Sequence, residues 1–322
     1  MKRRVAITGG SGFIGTNLVA HFVATGDDVL NLDIAPPRDP EHHAWWRRCD
    51  LLEPAGLTDH LGGFDPTHLL HFAARTDLGG TSPVDYAVNT TGTDNVIAAG
   101  RVCPALQRIV FASSLLVCRN GYRPRADTDY CPTTAYGTSK QYMEQSIRRS
   151  TQMPPWTIVR PTSIWGPWFG VPYRDFFDVV LARRYVHPGR ARVTKAIGFV
   201  GNTVSQIEAL LGADPGVVDN ATFYLADWPE RSIDEWASSI AAQAGIRPPR
   251  RVPVALLRVA ALVGDVLQRT GLMAEPPLTS FRLDNLRTSS SYELDRLVEL
   301  TGPLPFSLEE GVGATLEWLE LD

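Results

Sequence analysis

The stretch Thr8-Gly9-Gly10-Ser11-Gly12-Phe13-Ile14-Gly15 decides the fold of this chain. It follows the apolar run Val5-Ala6-Ile7 and precedes an apolar helical stripe, which is the strand–turn–helix context in which closely spaced glycines bind a dinucleotide. Gly9 permits the sharp turn, Gly12 leaves room for a pyrophosphate, and Gly15 lets the helix pack close to the strand. The N-terminus of that helix would supply N–H donors and the positive end of its dipole. The sequence therefore predicts a dinucleotide-binding unit here.

A second signal comes at the end of the next strand-like run, Val29-Leu30-Asn31-Leu32-Asp33. Asp33 stands where the adenine ribose of a dinucleotide should lie. A carboxylate there accepts hydrogen bonds from the 2′ and 3′ hydroxyls and repels a 2′-phosphate. We therefore expect NAD(H) rather than NADP(H) as the cofactor. Arg38, a few residues further on, is the counter-signal.

Length and composition restrict the possible classes of protein. A chain of 322 residues exceeds the size at which one core stops growing, so we expect one large α/β unit with a smaller lobe. A net charge of −4 gives no basic face for nucleic acid. The most apolar run near the C-terminus, residues 252–267, is interrupted by Arg258, Gly264 and Asp265 and is too short to span a bilayer. We expect neither nucleic acid nor a membrane as a partner.

The cysteines carry information about the compartment. Cys49, Cys103, Cys118 and Cys131 show no CxxC spacing and no grouping with histidine of the kind that binds metals. We interpret them as free thiols in a reducing compartment. The expectation is a cytoplasmic protein without a bound metal.

The alternation of elements predicts the architecture. Up to about Gly166, apolar strand-like runs alternate with amphipathic helical stretches, which indicates a Rossmann-type, doubly wound parallel sheet of the α/β class. Residues 1–166 would form the NAD-binding domain, with a return segment near residues 196–214. Residues 167–322 would mainly form a smaller, mixed α/β lobe that binds substrate at the carboxyl edge of the sheet.

Three residues have the chemistry to move a proton on and off a substrate oxygen. Tyr136 and Lys140 are four residues apart, so they share one face of a helix. Ser114 follows a strand-like run whose carboxyl edge should face the same crevice. A free tyrosine has a pKa of about 10, and we expect a nearby ammonium to lower that pKa. The hydroxyl of Ser114 would hold the substrate oxygen while hydride moves at the adjacent carbon.

Together these motifs resemble the extended short-chain dehydrogenase/reductases, the NAD-dependent epimerase/dehydratase family, in its nucleotide-sugar-modifying type. The segments that carry the resemblance are, in chain order, residues 8–15, Asp33, Asp50-Leu51, His71-Phe72-Ala73-Ala74, residues 89–96, Ser113-Ser114, Tyr136-Gly137-Thr138-Ser139-Lys140 and Arg160-Pro161. They cover about the first half of the chain closely. The second half is similar mainly in its ending, residues 308–318.

The resemblance implies a set of site residues. Ser114, Tyr136 and Lys140 would be catalytic, with Tyr136 as the acid/base. The cofactor would be bound by Gly9, Gly12, Phe13, Ile14, Gly15, Asp33, Asp50, Leu51, Phe72, Ala73, Ala74, Asn89, Tyr136, Lys140 and Pro161. The substrate would contact Ser114, Ser163, Arg190, Arg192 and Arg282. The resemblance also implies a homodimer, through helices that begin near Pro83 and Ala135.

Departures from the family pattern narrow the reaction. Sugar 4,6-dehydratases carry an Asp-Glu pair directly after the hydroxyl residue, whereas Leu115 and Leu116 follow Ser114 here and cannot transfer protons. Dehydration is therefore excluded from the expected reactions. Ser163 replaces a common substrate-binding asparagine, and the C-terminal arginine motif that often holds a diphosphate is absent, with Arg282 roughly in its region.

Three functions stay open at this point. The first is an NAD-dependent 4-epimerase or 4-keto reductase of a nucleotide-activated sugar, whose diphosphate should require arginines such as Arg190 and Arg192. The second is a dehydrogenase of a hydroxysteroid or another lipophilic alcohol, which Leu115, Leu116 and the apolar run 252–267 favour. The third is an NAD-binding protein without catalytic activity, which would bind the cofactor without turnover.

Overall fold

The computed structural model describes residues 2–273, 276 and 278–321. The strands are β1 (Arg4–Thr8), β2 (Asp28–Asp33), β3 (Trp46–Arg48), β4 (His68–His71), β5 (Arg108–Ala112), β6 (Trp156–Pro161), β7 (Ser163–Trp165), β8 (Val186–Pro188), β9 (Thr194–Lys195), β10 (Ile197–Phe199), β11 (Ala221–Leu225), β12 (Arg231–Ser232) and β13 (Arg250–Val252). The helices are α1 (Phe13–Ala24), α2 (Pro54–Phe64), α3 (Ala87–Gly100), α4 (Ala135–Arg149), α5 (Tyr173–Leu181), α6 (Val200–Gly212), α7 (Pro215–Val218), α8 (Ile233–Gln243), α9 (Val254–Arg269), α10 (Ser280–Arg287), α11 (Asp295–Thr301) and α12 (Leu308–Leu321).

The main sheet confirms the predicted α/β class. Its seven strands, in the described part of the chain, lie in the order β11-β6-β5-β4-β1-β2-β3, and all of them pair in parallel. The strand order reverses between β1 and β4. In an open parallel sheet, ligands bind outside the carboxyl ends of the strands at such a reversal. The topology therefore sets the crevice beside the ends of β1 and β4.

Helices cover both faces of the sheet because the strands are apolar on both sides. On one face, Leu18 and Phe22 of α1 pack with Ile207 and Leu210 of α6 over Val5, Ile7 and Leu70. On the other face, α2, α3 and α4 contribute a second cluster. Its helical members are Leu57, Leu61, Val96, Ile97, Met143 and Ile147.

The main sheet also takes in residues that come after the expected return segment near residues 196–214. That segment does return, because α6 packs on α1. The edge strand β11, however, comes from residues 221–225, and Leu297 of α11 packs in the same cluster as Phe223 and Leu225. A strand of five residues between two helices carries too little periodicity to be recognised locally. The boundary between the two lobes stays a prediction.

The remaining residues build an aromatic core beside the sheet. Trp165 is fully buried and contacts the rings of Phe177, Phe199 and Trp236. Two-stranded ribbons, β7–β10, β8–β13 and β9–β12, surround this core together with α5, α8 and α12. The tryptophan-rich stretch after β6 therefore packs the second lobe. In the described residues, no helix combines the length and the apolar character needed to cross a membrane.

A buried ion pair fixes α4 to the sheet. Both Nε and Nη2 of Arg160 donate to the carboxylate of Glu144, at 2.8 and 2.7 Å, and the two side chains are at most 1% exposed. Ser113 Oγ donates to the same carboxylate at 2.6 Å. The remaining Nη1 of Arg160 donates to the hydroxyl of Tyr224 on β11. One carboxylate thus joins a helix to two central strands and, through Arg160, to the edge strand.

Replacing Glu144 with alanine should lower the free energy of unfolding by about 3–5 kcal/mol, because Arg160 would keep its charge in a buried position without a partner. Urea-induced unfolding measures this loss. The matched control is Lys2→Ala, which breaks a surface pair with Asp28 at 2.6 Å and should cost less than about 1 kcal/mol. Equal losses in the two variants would contradict the structural part assigned to the buried pair.

Candidate active site

The glycine turn between β1 and α1 is built for close packing at two of its positions. Gly9 has a φ of +76°, and a Cβ there would collide with the backbone of Phe72 and Ala73 after β4. A Cβ at Gly15 would collide with the carbonyl of Gly9. Packing within the protein therefore requires both glycines.

Gly12 is different, because packing alone does not explain it. A Cβ at Gly12 would meet the Gly9 carbonyl oxygen at 3.2 Å, a tight contact that a small shift relieves. In the part of the chain that the structure describes, no side chain caps the N-terminus of α1. The N–H groups of Phe13 and Ile14, in the first turn, thus lie at a helix start suited to an anion. This cradle fits the pyrophosphate of a dinucleotide.

Asp33 lies beside the same turn, at the end of β2. Its carboxylate accepts hydrogen bonds from the N–H groups of Ser11 (3.1 Å) and Ala35 (3.0 Å), and burial raises its pKa. Arg38, the counter-signal for NADP(H), donates to the carbonyl oxygens of Ser11 (3.2 Å) and Trp168 (2.6 Å). Its guanidinium therefore ties the glycine turn to the second lobe. Because Arg38 is engaged in this way, the Asp33 carboxylate is the charged group beside the turn that is suited to binding ribose hydroxyls.

The other expected adenosine contacts follow β3. Leu51 is buried, and its carbonyl accepts a hydrogen bond from Asn95 Nδ2 at 2.7 Å. Asp50 is half-buried, and its carboxylate accepts a hydrogen bond from the N–H of Leu52. Both residues are held rigidly by the protein, which suits a wall of a binding pocket. Their contact with adenine stays a prediction.

The segment after β4 lines the crevice at the strand reversal. Phe72, Ala73 and Ala74 are half-buried, and the N–H of Phe72 continues the sheet by donating to Thr8. Asn89 is buried, with its amide bonded to the backbone N–H and carbonyl of Arg75 and to Ser139 Oγ. Asn89 thus positions this segment from behind. Its direct contact with a cofactor stays a prediction.

Ser114, Tyr136 and Lys140 come together at the ends of β5 and α4. Ser114 follows β5, and its Oγ accepts a hydrogen bond from the N–H of Leu116 at 3.1 Å. Tyr136, in the first turn of α4, is buried beside the side chain of Ser114. Lys140 lies one turn further on, and its Nζ donates to the carbonyl of Ala112 at 2.7 Å. The sequence therefore identified three residues that share one buried site.

The expected lowering of the Tyr136 pKa by Lys140 is wrong for this structure. Burial raises the pKa of Tyr136 to about 12, and it lowers the pKa of Lys140 to about 8. The physical reason is that both groups are desolvated, while the ammonium is directed at the Ala112 carbonyl. At neutral pH the site accordingly holds Tyr136 as a phenol, the form that donates a proton to a carbonyl oxygen.

Two tyrosines beside Tyr136 were missed in the sequence. The ring of Tyr86 lies 5.9 Å from that of Tyr136, and its hydroxyl donates to the carbonyl of Asp77 at 2.7 Å. Tyr173, at the start of α5, lies beside Ser163, and burial raises its pKa. Neither tyrosine belongs to a local motif, so tertiary structure alone reveals them. Pro161, two residues before Ser163, ends β6 in a half-buried position.

The expected substrate arginines are already engaged or exposed. Arg190 and Arg192 lie on the exposed loop between β8 and β9, and Arg192 pairs with Glu235 at 3.2 Å. Arg282 donates to the carbonyl of Pro276 at 2.8 Å. Lys195 of β9 is a half-buried cation: its Nζ donates to the Asn285 carbonyl at 2.9 Å, and burial lowers its pKa to about 8.

His71 and the four cysteines are other side chains that the sequence analysis named. His71 is buried, with Nδ1 2.8 Å from Thr8 Oγ1 and Nε2 3.2 Å from Thr93 Oγ1, and burial lowers its pKa to about 3. It is therefore a neutral core histidine. Each of the four cysteines carries a free thiol.

Comparison with known proteins shows which family the chain resembles. The sequence model of the NAD dependent epimerase/dehydratase family matches residues 5–186, more than half of the chain. The N-acetyl-alpha-D-glucosaminyl-diphospho-ditrans,octacis-undecaprenol 4-epimerase of Escherichia coli O157:H7 is 25% identical over 99% of this chain and 96% of its own length. The 3-beta-hydroxysteroid dehydrogenase of Mycolicibacterium neoaurum is 24% identical, over 98% and 91%. The UDP-glucose 4-epimerase of Thermus thermophilus in complex with NAD superposes with a TM-score of 0.71, at 20% identity, over 98% and 99%.

Replacing Asp33 with alanine should weaken NAD(H) binding about 10–100-fold, because hydrogen bonds from ribose hydroxyls to a charged acceptor contribute about 1.5–3 kcal/mol. Calorimetric titration measures the affinity, and a melting curve shows whether the variant folds. Asp28→Ala, at the exposed start of the same strand, is the control and should bind as the wild type does. Unchanged affinity in Asp33→Ala would remove Asp33 from the cofactor site.

Proposed function

The chain belongs to the NAD-dependent epimerase/dehydratase family, and we propose that it oxidises or reduces a single carbinol carbon of its substrate. Its first candidate substrate is a sugar activated by a diphosphate, with C4 as the reacting carbon. The observation that carries this proposal is that Ser114, Tyr136 and Lys140 lie together in one buried cluster, with Lys140 one helical turn from Tyr136.

The chain's own residues would handle the proton of the reaction. In the reducing direction the Tyr136 phenol donates its proton to the substrate oxygen, and in the oxidising direction the Tyr136 phenolate accepts the proton. The Ser114 hydroxyl, which lies beside that phenol, would hold the substrate oxygen in line with it. NAD, when bound, supplies the nicotinamide that donates or accepts hydride. Lys140 would bond the nicotinamide ribose and fix its orientation.

The residues after Ser114 argue for redox chemistry without dehydration. Leu115 and Leu116 form the turn directly after Ser114 and are half-buried. Loss of water from a sugar requires an acid and a base at the carbons next to the oxidised one, and apolar side chains cannot supply them. The proposed reaction is therefore confined to the carbon that exchanges hydride.

The groups around Tyr136 favour a substrate rich in hydroxyls. Tyr173 and Ser163 add hydroxyl groups near those of Ser114 and Tyr136, whereas the Tyr86 hydroxyl is bonded to the Asp77 carbonyl. A site built from hydrogen-bonding groups rejects a ligand that leaves them unpaired. The relatives named as 4-epimerases, of a diphospho-linked N-acetylglucosaminyl lipid and of UDP-glucose, are consistent with a sugar. Lys195 and the exposed Arg190 would face the diphosphate.

A lipophilic alcohol or ketone is the second candidate. Leu115 and Leu116 present apolar surface directly after the residue that would hold the reacting oxygen. The relative from Mycolicibacterium neoaurum, named as a 3-beta-hydroxysteroid dehydrogenase, supports the same interpretation. An NAD-binding protein without turnover is the third candidate, and the buried trio of proton-handling groups argues against it.

We also propose how the protein assembles and where it works. Two copies would associate through α3 and α4, on whose exposed sides Thr91 and Thr138 lie. The free thiols support a reducing compartment, and the cytoplasm is the proposed location.

Tyr136→Phe should bind NAD(H) as the wild type does and lose about 10²–10⁴-fold in turnover, because it removes the proton-transferring hydroxyl. Turnover is followed by nicotinamide absorbance with a panel of UDP- and dTDP-hexoses and their 4-keto forms, and with a 3β-hydroxysteroid. The matched control is Tyr142→Phe, which removes an exposed hydroxyl from the same helix. Retained turnover in Tyr136→Phe would exclude Tyr136 from the mechanism.

A further inference from the structure

Helix α9 leaves an apolar face uncovered. Its inner residues Leu257 and Ala261 are buried against Leu283 of α10. The opposite side is also apolar, and five of its side chains are between 55% and 63% exposed. These residues, named here the α9 face, are Leu256, Val259, Leu262, Val263 and Val266.

The geometry of the helix makes this face continuous. At about 100° per residue, the five side chains project within an arc of about 120°. A helix that is apolar all round is normally buried on every side, and an exposed apolar patch of this kind marks an interaction site. At its C-terminal end the patch extends to Leu272, which is 77% exposed. We therefore expect another molecule or a membrane, rather than water, to cover the α9 face.

The charges around the α9 face indicate what covers it. Arg258 and Arg269 lie at one border of the arc and are exposed. Between residues 247 and 273 there are five arginines and one acid, Asp265, although the whole chain has a net charge of −4. Asp265 is already bonded to the N–H of Ser280 at 3.0 Å. The border of the patch that carries Arg258, Arg269 and Asp265 thus has a net positive charge.

A cavity with a basic lining lies at the start of the ribbon β8–β13. It has a volume of about 640 Å³ and is lined by Arg183, Arg247 and Arg250, together with apolar side chains and two prolines. It opens at one end of the ribbon β8–β13, and the other end of that ribbon leads into α9. Arg251, in the same ribbon, is paired with Asp234 and does not contribute. Clusters of basic side chains beside an apolar face suit anionic lipid head groups.

We propose that the α9 face docks on an anionic lipid bilayer, with the helix lying in the plane of the interface. An apolar face flanked by arginines is the pattern of an interfacial helix, which binds by burying its apolar side chains while the cations meet acidic head groups. A second copy of the chain fits less well. Symmetric pairing through this face would bring the borders of both copies together, and each border carries two arginines, Arg258 and Arg269, against one acid, Asp265.

The α9 face connects through α10 to the loop that follows Ser114. Leu283 links α9 to α10, and Asn285 of α10 accepts a hydrogen bond from Asn120 Nδ2 at 2.6 Å. Asn120 belongs to the loop that follows Ser114. The proposal goes beyond the proposed function, because docking requires no particular substrate.

Flotation with vesicles tests the proposal on the NAD-loaded full chain. The wild type should float with vesicles of phosphatidylcholine containing about one third phosphatidylglycerol, and only weakly with pure phosphatidylcholine. The double variant Val259→Glu/Val263→Glu should lose at least about tenfold in bound fraction. Replacing Arg258 with glutamine should lower binding about fivefold. The matched control is Val102→Glu, which places a charge at a valine that is equally exposed, 55%, on the other lobe.

Gel filtration of the same variants tests whether a second copy of the chain, rather than a bilayer, covers the α9 face. All four proteins should elute at the same volume and melt alike, because the substituted residues are exposed. The proposal is overturned if the wild type does not float with anionic vesicles, or if the double glutamate variant floats as well as the wild type. It is equally overturned if the double variant changes the oligomeric state, since a second copy then covers the α9 face.

Discussion

The buried ion pair between Glu144 and Arg160 determines where the reactive side chains lie. Tyr136, Lys140 and Glu144 are spaced by four residues on α4, so one face of the helix carries all three toward the sheet. Glu144 bonds Ser113, the neighbour of Ser114, as well as Arg160 of β6. A buried pair is costly to break, because either partner alone would be a desolvated charge. The pair thus holds the register of α4 against β5, which sets Tyr136 beside Ser114.

The same burial decides the protonation of the site. Desolvation raises the pKa of Tyr136 to about 12 and lowers that of Lys140 to about 8, so the phenol holds its proton more firmly than the ammonium does. At neutral pH both groups are protonated. The resting site is therefore set to donate a proton, as the reduction of a ketone requires. In the oxidising direction, the phenol must give up its proton before it can accept one, so that direction needs further stabilisation of the phenolate.

Local sequence was sufficient for part of this account. The glycine turn, Asp33 and the strand that precedes Ser114 are short-range patterns whose chemistry depends on neighbours in the chain, and the structure has them as strand, turn and helix. The partnership of Glu144 with Arg160, the tyrosines at 86 and 173, and the edge strand β11 depend on contacts between distant residues. The direction of the Tyr136 pKa shift was also beyond the sequence, because the spacing of Tyr136 and Lys140 does not show where the ammonium points.

The central claim is that a redox site for one carbon serves a diphosphate-activated sugar. Its most direct test is a calorimetric and thermal-shift titration of the NAD-loaded protein with UDP, GDP, dTDP and CDP, with a 3β-hydroxysteroid alongside. A ligand that binds only the native state stabilises it by mass action, by about 2.7 kcal/mol at a ligand concentration of 100 times its Kd. This stabilisation raises the melting temperature. The account predicts a response to one of the four nucleotides and none to the steroid. A response to the steroid with silence from all four nucleotides would contradict it.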